Sequence, residues 1–188
     1  MSGNEAVGLL PADIGSLAHL TALNLSSNQL DGDLPTNFGR LVSLTHLDLS
    51  KNLLSGGFSV LEDLVNIEEI HLQNNRFSGT LLARNFGRLA SLRVLNLANN
   101  KLEGSIPASL GGLAKLERLS VCGNHLTGIV PAELGLLSAL KTLHLSAAHP
   151  LVMPSDNDTT AVAEPDAVAL VNSPGGTGND SSPGDGSS

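Results

Sequence analysis

The chain has 188 residues, 41% of them hydrophobic, with four Phe, neither Trp nor Tyr, and a formal net charge of −8. That is enough apolar material for one domain with an aliphatic core, and the single Cys122 excludes an internal disulfide. The charge is uneven: residues 151–188 carry six acidic side chains and no Lys or Arg, whereas residues 1–150 carry twelve acidic and ten basic, a balance that offers nucleic acid no basic patch.

The opening MSGNEAVGLL has no basic stretch followed by a long apolar run, so it does not read as a signal peptide. No segment approaches the roughly 18 apolar residues of a membrane span. Residues 4–16 match the second half of a unit that recurs downstream: Asn4, Gly8, Leu10 and Pro11 align with Asn28, Gly32, Leu34 and Pro35. The chain thus enters mid-repeat, and because stacked repeats shield their first coil with an atypical cap, the half-coil is either a minimal cap or, the favoured expectation, preceded by further residues upstream. Full copies start at Leu17, Leu41, Leu64, Leu89 and Leu113, with an Asn at each bend: Asn28, Asn52, Asn75, Asn100 and Asn124. The Asn spacings are 24, 23, 25 and 24. The second copy is one residue short and lacks the Pro; the third has one extra. Both changes follow the Asn, where length variation should stay out of the sheet. A sixth copy begins at Leu137, but Ala148 stands where the bend Asn belongs, so 137–146 should hold the last strand and 17–146 the repeat domain. From there the composition turns to Pro, Gly, Ser, Asp and Ala. Residues 147–188 are expected to be a disordered acidic tail, with VALV at 168–171 too short to alter that.

The cleanest copy, LASLRVLNLANNKLEGSIPASLGG at 89–112, carries the physics. Leu95 and Leu97 point one way from a strand; Val94, Asn96 and Ala98 point the other. Leu92, Leu102, Ile106 and Leu110 complete an apolar interior. The amide of Asn100 can satisfy backbone groups at the bend, and Gly104, Pro107 and Gly111 punctuate the return path. One coil cannot bury its leucines alone; stacked coils can, with their strands forming a parallel sheet. The pattern L-x-x-L-x-L-x-x-N-x-L-x-G-x-I-P closely resembles the plant-type leucine-rich repeat of receptor-like kinases, receptor-like proteins and polygalacturonase inhibitors. The resemblance spans residues 4 to about 146. It implies an α/β-class solenoid, a right-handed horseshoe with the parallel sheet on its concave face and 3₁₀ or loop segments outside. Extracellular members of that family usually have a cap with paired cysteines, which this chain lacks. As written it reads as a soluble protein, with a cell-surface location expected only for a longer chain.

In such a horseshoe the outward residues of the concave strands carry recognition, and the pattern places them in columns. Between the paired leucines lie Asn24, Asp48, His71, Asn96, Ser120 and His144. Just before the pair lie Ala22, His46, Glu69, Val94, Arg118 and Thr142, and one further out Thr21, Thr45, Glu68, Arg93, Glu117 and Lys141. Glu68, Arg93, Glu117 and Lys141 alternate in sign, which reads as a solvated ion-pair ladder before it reads as a docking strip. His46, Asp48, Glu69 and His71 fall in one patch with ligand and acid–base chemistry, yet they stand parallel on a sheet, so a polar binding patch is expected rather than a metal site. Binding hot spots favour Trp, Tyr and Arg, and only Arg93 and Arg118 qualify here. Cys122 occupies the slot of Ser26, Ser50 and Ala98 and should be a packed thiol.

No G-x-S-x-G, H-E-x-x-H, P-loop or kinase signature occurs. The expectation is a non-catalytic, monomeric module without cofactor or metal that binds a protein or peptide ligand through its concave face, and the resemblance implies a receptor-like recognition or defence-signalling protein as its setting. A free-standing intracellular scaffold is the alternative, and an enzyme built on the His/carboxylate patch a remote one. The inside/outside assignment predicts that Leu95→Ala costs about 2–5 kcal/mol and Asn96→Ala little.

Overall fold

The computed structural model describes residues 3–81 and 86–145, together with the backbone of Val168–Ala169. The sixth bend position, Ala148, and the tail apart from that pair lie outside the described residues. Each coil contributes one short strand to a main parallel sheet: β2 (Ala22–Asn24), β4 (His46–Asp48), β6 (Glu69–His71), β8 (Val94–Asn96), β10 (Arg118–Ser120) and β12 (Thr142–His144). They pair in chain order and in strict register, so that Leu23, Leu47, Ile70, Leu95, Leu119 and Leu143 form one row. A last strand, β13 (Val168–Ala169), runs antiparallel to β12, with His144 opposite Val168. A two-residue pairing therefore arises within the segment expected to lack structure. Its apolar, β-branched composition suits it to the free edge of a sheet.

The residues after each Asn do more than return the chain. They form a second set of parallel strands, β1 (Val7–Leu9), β3 (Gln29–Asp33) and β5 (Leu53–Ser55) in one ribbon, and β7 (Ser78–Thr80), β9 (Lys101–Gly104) and β11 (His125–Leu126) in another. The break between the ribbons falls at the shortened second copy. Arg76 N–H donating to Leu54 O and Ser78 N–H donating to Gly56 O still bridge it. A glycine within or just after each of these strands has φ between +71° and +89°: Gly8, Gly32, Gly56, Gly79, Gly104 and Gly128. This left-handed twist turns each coil onto its outer side, and a Cβ there would be strained. Proline then opens a 3₁₀ turn in three coils, with φ −64°, −77° and −62° at Pro11, Pro107 and Pro131 and each carbonyl accepting from the residue three further on.

The interior is not purely aliphatic. Phe38, Phe58, Phe77 and Phe86 are all buried. Phe58 lies 5.3 Å from Phe77 and 5.9 Å from Phe86 between ring centroids. They occupy leucine or isoleucine positions of the first three copies, where the larger rings pack into the interior. Five asparagines stitch the coils together. Asn100 Nδ2 donates to Leu97 O of its own coil and Leu72 O of the one before, each at 3.0 Å, while its Oδ1 accepts from Phe77 N–H at 3.0 Å. Asn52 makes the same three kinds of bond to Leu49 O, Leu25 O and Leu30 N–H. The residue before each bend Asn is left-handed: Ser27, Lys51, Asn74, Asn99 and Gly123 have φ between +54° and +66°.

At the N-terminal end the ladder is open. Leu20, Leu23 and Leu25 are only partly buried, Leu9 and Leu17 are exposed, and a trough of 740 Å³ runs beside the edge strand β2.

Candidate functional site

The outward side chains of the concave strands separate into three groups. The first is the charged row. Arg93 donates from Nε and Nη2 to Glu117 Oε1 at 2.8 and 2.7 Å, and Lys141 Nζ donates to Glu117 Oε2 at 2.7 Å. Hydrogen bonds from Lys141 and then Arg93 hold the Glu117 carboxyl well below the usual range, at about 2, and the bond to Glu117 raises Arg93. Glu68 contributes to Arg93 through a longer-range attraction. Both carboxylate oxygens of Glu117 are thus engaged, on the strands either side of it.

The second group is the His/carboxylate patch, whose members do not converge. His46 Nδ1 lies 2.8 Å from Thr45 Oγ1, Asp48 Oδ1 accepts from Ser50 N–H at 3.0 Å, and His71 Nε2 lies 3.6 Å from Glu69 Oε2. Each is satisfied locally, and among the described residues no group of three or more His, Cys, Asp or Glu is placed to hold a metal ion. Asn24 and Asn96 behave like Asp48: their Oδ1 atoms accept from Ser26 N–H at 3.0 Å and Ala98 N–H at 3.2 Å. A short acceptor at the last strand position closes an Asx-type turn there, which assigns this column a structural task in three coils.

The third group surrounds a depression of 220 Å³ over β6, β8, β10 and β12, lined among others by His71, Asn96, Arg118, Ser120, Thr142 and His144. The register places His71, Asn96, Ser120 and His144 side by side on successive strands, with Arg118 beside Thr142 in the neighbouring column. Strands lie about 4.8 Å apart, so the row from His71 to His144 extends roughly 14 Å. Arg118 is exposed, and among the described residues it takes part in no ion pair. The acid next to it in sequence, Glu117, has already spent both oxygens on Arg93 and Lys141. The two arginines that the sequence singled out therefore differ: Arg93 is neutralised and Arg118 is not. Ser120 and Thr142 stand in the outward columns but carry no pattern signal; only the depression brings them together with Arg118.

Two expected outward residues are covered instead. Val94 is 5% exposed and Ala98 7%. Val94 sits between Glu69 and Arg118 on the flanking strands, and long side chains on either side shield a short apolar one. Cys122 is half-buried with Sγ 3.5 Å from Ser120 Oγ. On the outer side a second hollow of 580 Å³ is lined by Arg40, Val42, Val65 and the Asp63–Arg88 pair, whose Oδ1 and Nη1 lie 3.3 Å apart. No helix among the described residues is long and apolar enough to cross a membrane.

A family description of the leucine-rich repeat region matches residues 3–128. No curated protein matches the chain. Among solved structures it is similar to the Arabidopsis receptor kinase HAESA, crystallised with the peptide hormone IDA and the co-receptor SERK1, at 35% identity and a TM-score of 0.75 over 78% of this chain and 25% of that one. It is similar to the plant peptide hormone receptor RGFR1 in complex with RGF2, at 31% identity and a TM-score of 0.74 over 77% of this chain and 23% of that one. A leucine-rich repeat protein of Leptospira interrogans shares 29% identity and a TM-score of 0.68 over 81% of this chain and 37% of its own length. The chain thus spans a quarter or less of the two plant receptors. With the L-x-G-x-I-P strands and the asparagine-stitched coils, these matches place the chain in the leucine-rich repeat family, in the plant type shared with receptor-kinase ectodomains.

Proposed function

We propose that this chain is a non-catalytic recognition module that binds an extended peptide, or an extended segment of a protein, across strands β6 to β12 of its concave sheet. The observation that carries this is the depression over β6, β8, β10 and β12 with its unengaged Arg118. Arginine is the one hot-spot residue type on this face, and an exposed guanidinium with no ion-pair partner among the described residues is available to an incoming acceptor. The neighbouring coils supply a row of short polar groups, Asn96, Ser120 and Thr142, suited to hydrogen bonds with a peptide backbone. The similar receptors HAESA and RGFR1, solved with the peptide hormone IDA and with RGF2, support the same kind of ligand. In this reading residues 17–146 form the recognition unit, and the acidic segment 147–188 is not needed for binding.

The test is selection of short peptides displayed on phage against the full chain, followed by affinity measurement on purified variants. Binders should weaken about tenfold or more in Arg118→Glu, the size expected when an arginine anchor is lost, and should be unaffected by Arg40→Glu on the outer side. Binders indifferent to Arg118 and to every other concave substitution would place recognition elsewhere and reject the proposal.

A further inference from the structure

A parallel stack passes its backbone bonds from coil to coil and has to end somewhere. Leu25, Leu49, Leu72, Leu97 and Val121 each donate their N–H to a carbonyl of the following strand, the last of them to His144 O. Leu145 holds the same place in the coil of β12, where no further parallel strand follows among the described residues. We infer that β13, the tail's Val168–Ala169, is the molecule's own C-terminal cap: it takes the edge of β12 within one chain and thereby keeps the same edge of a second copy from pairing there.

The sense of the pairing is the first observation. β13 runs antiparallel to β12, with Leu143 opposite Ala169 and His144 opposite Val168, whereas every other pairing in the main sheet is parallel. Val168 comes 24 residues after His144, one lap of the repeat. The chain thus meets the sheet again at the interval of a seventh coil, but in the opposite direction. A parallel strand would carry the path into another coil; a reversed one cannot, so the stack stops. The sequence gives the reason. Ala148 stands where the bend Asn belongs, and at 167 and 169, where the paired leucines of a seventh coil would fall, both residues are alanine. Burial is the second observation. Leu140, Leu143 and Leu145 are 2%, 6% and 8% exposed, although theirs is the last coil of the ladder, while Leu20, Leu23 and Leu25 at the other end are only partly buried. An end with nothing on it leaves its leucines wet, and this end is covered.

What the cap excludes follows from the same geometry. A bare β12 would present unpaired backbone groups beside a row of leucines, which is a template for pairing with another chain. The edge of matching chemistry is another β12. Two identical edges related by a two-fold axis meet antiparallel, and that is the sense in which β13 lies. β13 therefore fills the place that a dimer would use. The residues preceding it in sequence suit a strand that closes a sheet: Glu164 and Asp166 bring charge, and Pro165 has no N–H to offer, and both features discourage a further strand from adding. A strand joined to its own edge through the intervening chain also outcompetes a second copy, because such a connection sets an effective concentration of about millimolar.

The test uses the full chain. Val168→Pro combined with Ala169→Pro removes both N–H groups of β13 and leaves the repeat sequence untouched. Association would be measured by sedimentation over about a hundredfold range of concentration, and hydrogen–deuterium exchange by mass spectrometry at the lowest concentration. The unmodified chain should sediment as a monomer throughout. In the double-proline variant, peptides covering β12 should exchange about tenfold faster, those covering β6 and β8 should be unchanged, and a dimer should appear as concentration rises. A second arm joins the pair instead of parting it. In a Cys122→Ser background, a slot that holds Ser26 and Ser50 in earlier coils, His144→Cys with Val168→Cys should form a disulfide within one chain under oxidised glutathione and remain monomeric. Directly opposed antiparallel residues have Cα atoms about 4.5–5.5 Å apart, within disulfide reach. Exchange at β12 that ignores the prolines would overturn the cap. Disulfides that link two chains would show the edge to be closed between molecules rather than within one. A dimer of the unmodified chain, or β12 deprotected with no dimer at any concentration, would remove the role against a second copy.

Discussion

Asn124 has no exposed surface, and its side chain holds two coils at once. Nδ2 donates to Leu97 O at 3.0 Å and Val121 O at 2.9 Å, and Oδ1 accepts from Leu102 N–H at 3.0 Å. In Asn124→Ala a dry interior is left with Leu102 N–H and Val121 O short of a partner, while Leu97 O keeps only the bond from Asn100 Nδ2. Each such orphan costs about 1–3 kcal/mol, so a loss of about 3–5 kcal/mol is expected in urea unfolding. Leu95→Ala, which removes a side chain 1% exposed, should cost about 2–5 kcal/mol. Asn96→Ala belongs between these and zero, at about 1 kcal/mol, because its Oδ1 accepts one part-buried hydrogen bond from Ala98 N–H. Equal melts for Asn96→Ala and the unmodified chain would remove the Asx closure from the account. The inward leucines were legible in the sequence because a strand alternates with period two. The closure was not, because Asn96 shares its column with His71, Ser120 and His144, and the column alone does not tell a side chain that turns back from one that faces solvent. Likewise Glu68, Arg93, Glu117 and Lys141 were legible as a row of alternating sign. That Glu117 takes both neighbours, leaving Arg118 alone, depends on side-chain reach that a pattern does not contain.

Successive coils also meet on the outer side, and there the spacing is set by glycine. A Cβ on Gly111 would lie against the carbonyl oxygen of Glu133 in the next coil, and one on Gly15 against the backbone of Asn37. Gly135 holds the same place in the last complete coil and has nothing within 4 Å of its Cβ position. Gly111→Ala must push one 3₁₀ turn away from the next and should cost about 1–3 kcal/mol, whereas Gly135→Ala should be neutral or mildly stabilising. If thermal unfolding of the two variants coincides, close approach is not what that glycine secures. The concave sheet has its own inter-coil tie in Glu117. Its carboxyl sits at about 2 against 4.5 for a free glutamate, so it favours the folded chain above pH 4.5, and that contribution disappears as pH falls from 4.5 toward 2. The melting temperature of the unmodified chain should therefore drop more steeply over this acid range than that of Glu117→Gln. High salt should narrow the difference, because the bridges face solvent. A parallel acid limb in the two proteins would mean the carboxylate contributes nothing to folding. The second ribbons, β1 to β5 and β7 to β11, were not legible at this scale. The left-handed glycine in every L-x-G breaks the period-two alternation by which a strand is read.

Across the whole molecule each coil touches only its neighbours, so stability is set locally and varies along the stack. The central coils bury their ladder completely: Leu47, Ile70, Leu95 and Leu119 are at most 1% exposed. Among the described residues the first full coil has a complete coil on one side and only the half-coil carrying β1 on the other. Leu20, Leu23 and Leu25 are partly buried, and β2 presents a free edge beside the open trough. Removing apolar surface from water contributes about 25 cal/mol per Å², and a coil that leaves its leucines half-wet forfeits much of that term while still bearing the cost of ordering its backbone. Such a coil opens more often than one clamped between two neighbours, and its amides should exchange on that local opening rather than on global unfolding. Hydrogen–deuterium exchange followed by mass spectrometry should thus show a gradient, with peptides covering β2 losing protection first and those covering β6 and β8 last. Filling the trough from outside should raise protection at β2 and leave the centre unchanged, because coupling passes only from coil to adjacent coil. Uniform exchange over β2, β6 and β8 would instead mean that the stack opens as one cooperative unit, with the asparagine ladder spreading the loss at one end over every coil.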